Sequence, residues 1–379
     1  MVSILAHAQN LVYTLLSLMP SVYQQENLEA MLGLFLQAKG YPLPEHSKSK
    51  SNSALSRFLN IYDWSTLSII RTTRNRVIKE ILSERTLGRK PFLQVIIDLT
   101  TLEKFGKFKG FQNLIRVYNG KRGLHLVVMY LVVGRWRVPS PYGDATRRSF
   151  RVWRGKGAAS PAQLGLKMVK CLPKKLTKHF QVMVLVDTAF GSVEFIHGVR
   201  KRKYHVIAGI ACTRKLIDGR CVAQLHKRGQ QLRLRGLKFP VCVSWYYFKR
   251  DDGKYEKRFV LSTKALKAST ISWWGKRRWQ IEGWFKTAKH RFGLHRFGQG
   301  TLLGVYRWLV LSFIAYVLAH WAYLSIATTD LPDWGQAAQI AFQTIFPQLL
   351  LCCFLLDLER IRPIALSHGI DIQIHRCNI

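Results

Sequence analysis

Three unbroken apolar runs restrict the fold of this chain more than any other feature. They are FLQVIID at 92–98, GLHLVVMYLVV at 123–133 and QVMVLVD at 181–187. A strand that alternates apolar and polar residues has one dry face, whereas a strand that is apolar throughout is dry on both and must lie inside a covered sheet. The covering elements fall between and after these runs. SPAQLGLKMVKCLPKKL at 160–176 and SVEFIHGVRKR at 192–202 read as helices, and YHVIAGIA at 204–211 as a further strand. The core is therefore α/β or α+β.

The flanks differ in texture. ENLEAMLGLFLQAKG at 26–40 has helical spacing, and SKSKSNS at 47–53 reads as a polar linker. Residues 53–82 read as two helices broken around Tyr62-Asp63, the second offering Arg71, Arg74 and Arg76. Two readings stand side by side: a helix-turn-helix with Arg71 and Arg74 on DNA, or a helical hairpin with a solvated basic face. From about 217 to 262, CVAQLHKRG, FPVCVSWYYFKR and YEKRFVLS read as short strands of a β-rich insertion. Beyond about 330, QAAQIAFQTIF and QLLLCCFLLDL read as helices that pack on the core or form a dimer contact. The expected organisation is a helical DNA-binding domain at 1–88, a catalytic domain at 89–330 that carries the insertion, and a helical region at 331–379.

Charge narrows the partners. The 379 residues include 59 Lys or Arg against 21 Asp or Glu, a net +38. Such an excess repels itself unless a polyanion neutralises it, and nucleic acid does so with release of counterions. Double-stranded DNA is the expected partner, with an anionic membrane surface as the lesser alternative. WLVLSFIAYVLAHWAYLSIA at 308–327 lacks Lys, Arg, Asp and Glu and is long enough to cross a membrane. His320, Trp321 and Tyr323 near its end favour a helix buried in a core, so no membrane is expected. The seven cysteines form no CxxC pair, which argues against a structural zinc site and a complete disulfide framework. Reduced thiols and the absence of a signal-peptide pattern point to the cytoplasm, with nucleoid DNA as the place of action.

Acids are scarce, so their positions matter. Asp98 and Asp187 follow Val-Ile-Ile and Val-Leu-Val, at what read as strand ends, where α/β sheets collect functional groups. The alternative for either is a turn residue. Glu282 stands alone among six Arg or Lys in RRWQIEGWFKTAKHRFGLHRFGQG at 277–300, which reads as one helix. Arg278, Glu282 and Lys289 share a helical face. Glu282 is either half of an exposed ion pair with Arg278 or a metal-binding carboxylate, and Glu194 is a rival third acid. Three carboxylates suit Mg²⁺, with Mn²⁺ as substitute, and two such ions serve in-line phosphoryl transfer. Arg277, Arg278, Lys286 and Lys289 would then hold phosphates. Trp245, Tyr246 and Tyr247 either stack on a flipped base or pack in a core. WRGKGAAS at 153–160 is either a phosphate cradle or a plain basic loop.

With VIIDLT, LVDTAFGS and the interposed strands, the chain resembles the DDE transposases of bacterial insertion sequences. More narrowly, it resembles those with a β-strand insertion and a Y-x2-R-x3-E-x6-K motif. Arg278, Glu282 and Lys289 fit that spacing, while the tyrosine position falls on Gly275. The resemblance spans about 10–325 and implies a ribonuclease H-like mixed sheet flanked by helices. It implies that Asp98, Asp187 and Glu282 ligate two metal ions, cut the ends of an element and join them to target DNA. A homodimer on DNA is implied as well. A nuclease of the same fold and a catalytically inactive DNA-binding remnant are the alternatives.

Overall fold

The computed structural model describes residues 4–83, 90–106, 108, 110–140, 151–155, 157–250, 252–326 and 333–375. The expected boundaries at 88/89 and 330/331, Asp251 of the 251–253 turn and Lys156 of the 153–160 loop lie outside the described residues. The helices are α1 (Ile4–Ser17), α2 (Val22–Gln37), α3 (Asn52–Asn60), α4 (Thr66–Ser83), α5 (Pro161–Lys170), α6 (Lys174–His179), α7 (Val193–Arg200), α8 (Ala268–Arg277), α9 (Gln280–His290), α10 (Leu302–Ile326), α11 (Trp334–Ile345) and α12 (Pro347–Ser367). The strands are β1 (Phe92–Glu103), β2 (Ile115–Tyr118), β3 (Lys121–Val133), β4 (Trp136–Ser140), β5 (Arg151–Val152), β6 (Gln181–Val186), β7 (His205–Ile210), β8 (Gln231–Leu232), β9 (Val241–Lys249) and β10 (Tyr255–Ser262). Contacts divide the chain into two compact units, Met1–Ser65 with Ala288–Ile379 and Thr66–Thr287. Helix α3 belongs to the first unit and α4 to the second.

Among the described residues, the ten strands of the second unit form one sheet, ordered β2-β3-β1-β6-β7-β10-β9-β8, with β4 and β5 also pairing with β3. The pairs β1–β6 and β6–β7 are parallel, and β1–β3 is antiparallel. An antiparallel hairpin side joined to a parallel side at the first strand is the ribonuclease H-like arrangement. The apolar runs form β1, β3 and β6, buried on both faces as their composition requires. Helix α5 covers one face, close enough that a Cβ on Gly165 would lie 3.2 Å from Ile97. Trp284 of α9 stacks on Tyr130 of β3 with centroids 5.7 Å apart.

The structure adds detail to one expectation and corrects two. The insertion extends the core sheet, because β10 pairs antiparallel with β7, Phe259 opposite Ile210. CVAQLHKRG is no strand; it holds a 3₁₀ turn at Val222–Gln224, which the Gln224 side chain closes by accepting the Cys221 N–H at 2.7 Å. The stretch at 277–300 is not one helix: α8 ends at Arg277, α9 ends at His290, and Gly293 at φ +56° turns the chain away.

In the first unit α10 is the central helix, packed against α1, α2, α3 and α11. It is long and apolar enough to cross a membrane, but 83% of its most apolar stretch is buried inside the protein. Its one cation, Arg307, is 2% exposed and donates to the carbonyls of Phe58, Leu59 and Trp64 at 3.0–3.1 Å. The first two belong to the last turn of α3, where carbonyls lack helical partners and a cation is favoured. Burial lowers the Arg307 pKa to about 10, so it stays charged at neutral pH. Helix α12 differs from the others in having no buried residue.

Candidate active site

The β1–β6 register sets the site. Ile97 lies opposite Val186 in parallel, so the next residues, Asp98 and Asp187, are neighbours on adjacent strands. Their local settings differ. Asp187 follows the end of β6, and its Oδ1 accepts the N–H groups of Ala189 and Phe190 at 3.0 and 3.3 Å, which starts the turn into α7. Asp98 does not end its strand, contrary to the sequence expectation. β1 runs on to Glu103, and Asp98 pairs with Val128 of β3. The cause is Leu99-Thr100-Thr101-Leu102, which keeps its ladder partners on β3 after β6 has stopped.

Alternation along β1 puts Gln94, Ile96, Asp98 and Thr100 on one face. Arg277 donates to Gln94 at 3.1 Å. Arg278, at the junction of α8 and α9, donates from Nη1 to Asp98 Oδ2 at 2.7 Å and from Nη2 to Glu282 Oε1 at 2.8 Å. The Arg278 and Asp98 side chains are each only 12% exposed, so this is a buried ion pair. Glu194, the rival acid, accepts a hydrogen bond from Gln163 instead.

Burial pushes the Asp98 pKa up to about 7; Arg278 pulls against this, while Asp187 and Glu282 add to it. Burial also raises Asp187, opposed by Arg278 and by the N–H groups of Phe190 and Ala189. Burial works against the charge on Arg278, but Asp98, Glu282 and Asp187 outweigh it and raise its pKa. Three carboxylates thus share one guanidinium. Among the described residues no three His, Cys, Asp or Glu side chains are grouped to hold one metal ion, and Arg278 stands between Asp98 and Glu282. The donor set is nonetheless hard oxygen with a shortage of positive charge, which fits Mg²⁺ or Mn²⁺.

Lys286 is exposed, Lys289 and Arg277 half-buried. On α4 Arg71 is exposed, Arg74 half-buried, and Arg76 pairs with Glu80 at 3.1 Å. Trp245 is 5% exposed, with Lys257 over its ring at 4.2 Å and Arg228 at 5.2 Å, whereas Tyr247 is 57% exposed. Gly275, in the tyrosine position of the motif, has no room for a side chain: a Cβ there would lie 2.9 Å from Val260 and 3.3 Å from Tyr246. Tyr246, on the strand beside it, fills that space.

A cavity of about 450 Å³ opens beside Asp187 and Arg278, lined also by Tyr246, Lys257, Arg258 and Trp274. Sequence reasoning missed Arg258. Its guanidinium lies 4.0 Å from the Phe248 ring centroid, and Phe248 stacks on Trp279 at 5.1 Å. The available signal was the strand alternation that sets Arg258 opposite Tyr246.

Comparison with known proteins bears on this site. Residues 163–318 match the family described as "Transposase DDE domain", a segment that contains Asp187 and Glu282 and starts after Asp98. No curated protein matches the chain. A solved structure described as the piggyBac transposase synaptic complex with hairpin DNA is similar at 12% identity and a TM-score of 0.48, covering 99% of this chain and 84% of that one. The matched segment, less than half of the 379 residues, is thus similar to a transposase DDE domain.

Proposed function

We propose that this protein is a DNA transposase that cuts the ends of an insertion sequence and joins them to target DNA. The observation that carries this reading is the convergence of Asp98, Asp187 and Glu282 on Arg278 in a ribonuclease H-like sheet. The net charge of +38 supports DNA as the substrate.

Asp98, Asp187 and Glu282 would hold two divalent ions. When bound, such ions supply charge stabilisation at the attacking and leaving oxygens of phosphoryl transfer. The rest falls to the chain itself. The β1–β3 ladder keeps Asp98 from shifting, and the turn after β6 orients Asp187. Arg277, Lys286 and Lys289 lie on α8 and α9 beside Glu282 and hold the DNA backbone; Arg71 adds a contact on α4. Two protomers bring two ends together.

The test incubates labelled element ends with the protein and Mg²⁺ or Mn²⁺. Nicking at the element boundary and joined products are expected from the wild type. Asp98→Asn, Asp187→Asn and Glu282→Gln should each lose at least roughly a hundredfold in cleavage while still binding DNA. Unchanged cleavage in any of them would remove that residue from the site. Cleavage without joining would make the protein a nuclease.

A further inference from the structure

Arg278 is engaged just where the proposed function needs open carboxylates. Its two bonds, 2.7 Å to Asp98 and 2.8 Å to Glu282, commit one oxygen of each. The guanidinium also lies 5.2 Å from the Trp279 ring centroid, on the side chain that stacks against Phe248. It therefore has two surfaces to rest on, the carboxylates and an aromatic ring. We propose that Arg278 is the resident counter-cation of the triad, which a divalent ion must displace, and that the displaced guanidinium swings over Trp279 towards a DNA phosphate. This rests on the reading that the triad holds metal.

Three carboxylates brought together from β1, the turn after β6 and α9 need positive charge to coexist. A +1 guanidinium provides part of it; a +2 ion provides more but draws on the same two carboxylates. The two cannot fully occupy Asp98 and Glu282 together, so they compete. A phosphate that attracts Arg278 removes the competitor, which makes metal and DNA binding mutually favourable. By linkage, each then tightens the other by the same factor. Arg278 is a positioning residue in this account, and its signature is metal affinity in the absence of DNA.

The experiment titrates the full-length, DNA-free protein with Mn²⁺, reading free Mn²⁺ by electron paramagnetic resonance and following thermal melting in parallel. The wild type is compared with Arg278→Met and Arg278→Lys, each with and without Asp98→Asn. Arg278→Met should bind Mn²⁺ roughly tenfold tighter or more, with Arg278→Lys near the wild type. Without metal Arg278→Met should melt lower, and Mn²⁺ should raise its melting point more than that of the wild type. Asp98→Asn should abolish the gain. Equal or weaker Mn²⁺ binding by Arg278→Met, still sensitive to Asp98→Asn, overturns the displacement while leaving the metal site intact. Mn²⁺ binding insensitive to Asp98→Asn in every variant overturns the metal reading and this proposal with it. Should Arg278→Met not fold, Arg278→Gln removes the charge while keeping hydrogen bonds, and the same outcomes apply.

Discussion

At the residue scale, Asp98 holds a charge against its surroundings. An acid whose folded pKa lies above its unfolded one destabilises the fold once ionised. Its ordinary value is 3.8 and its folded value about 7. The metal-free protein should therefore lose stability as pH rises from about 4 to about 7 and level off above. Each tenfold gain in proton affinity on folding is worth about 1.4 kcal/mol, so the loss is on the order of a few kcal/mol. Asp98→Asn should remove most of that slope, as read by urea denaturation across pH. A wild-type curve flat between pH 5 and 7 would contradict the buried, crowded state of this carboxylate.

The same residue shows what the sequence concealed. Val-Ile-Ile before Asp98 marked a buried strand, since only a covered sheet accepts so dry a run. The next four residues, Leu99-Thr100-Thr101-Leu102, read equally well as a strand or as a turn. Only the partner strand β3 decides between them. Asp98, Asp187 and Glu282 stood out in the sequence because carboxylates are scarce in this chain, and the proposed triad rests on them. That Arg278 would bond Asp98, 180 positions away, was not, because that contact depends on how α8 and α9 meet the sheet.

At the element scale, two helices make distinct predictions. Gly275 lets α8 lie against β9 and β10. Gly275→Ala would press on Val260 and Tyr246 and should cost about 1–3 kcal/mol by urea denaturation. Val260→Ala in the same chain should return part of that loss. In α10, Arg307→Met would take their Arg307 donor from the carbonyls of Phe58, Leu59 and Trp64, leaving the Phe58 carbonyl only the Trp64 indole. A loss of about 3–5 kcal/mol is expected, read by the same measurement. The apolar character of α10 was plain in the sequence, but the helix begins at Leu302, six residues before the uncharged run. The break between α8 and α9 was hidden, since Arg278-Trp279 contains neither glycine nor proline to mark it.

At the scale of the whole molecule, the net charge of +38 sets how the proposed DNA binding should behave. DNA affinity should fall steeply with salt. A footprint of six to ten phosphates gives a slope of roughly −5 to −9 in log K against log salt. Lys286→Ala should lessen that slope by about one, measured by fluorescence anisotropy at several salt concentrations. Helix α12 buries none of its residues, so removing residues 351–379 should move the melting temperature by only a few degrees.

One unit of the chain is built from its two ends, Met1–Ser65 and Ala288–Ile379, with the sheet unit encoded between them. A ribosome makes the chain in that order, and domains close when their last piece emerges. The sheet unit has all its residues once Thr287 is out. Helices α1 to α3, made first, must wait for α10 to be synthesised before their apolar faces are covered. Asp98, Asp187 and Glu282 can therefore be brought together while helices α1 to α3 are still unfinished business for chaperones. A product truncated anywhere before α10 would present folded acids on a chain with bare helices, a natural target for proteolysis.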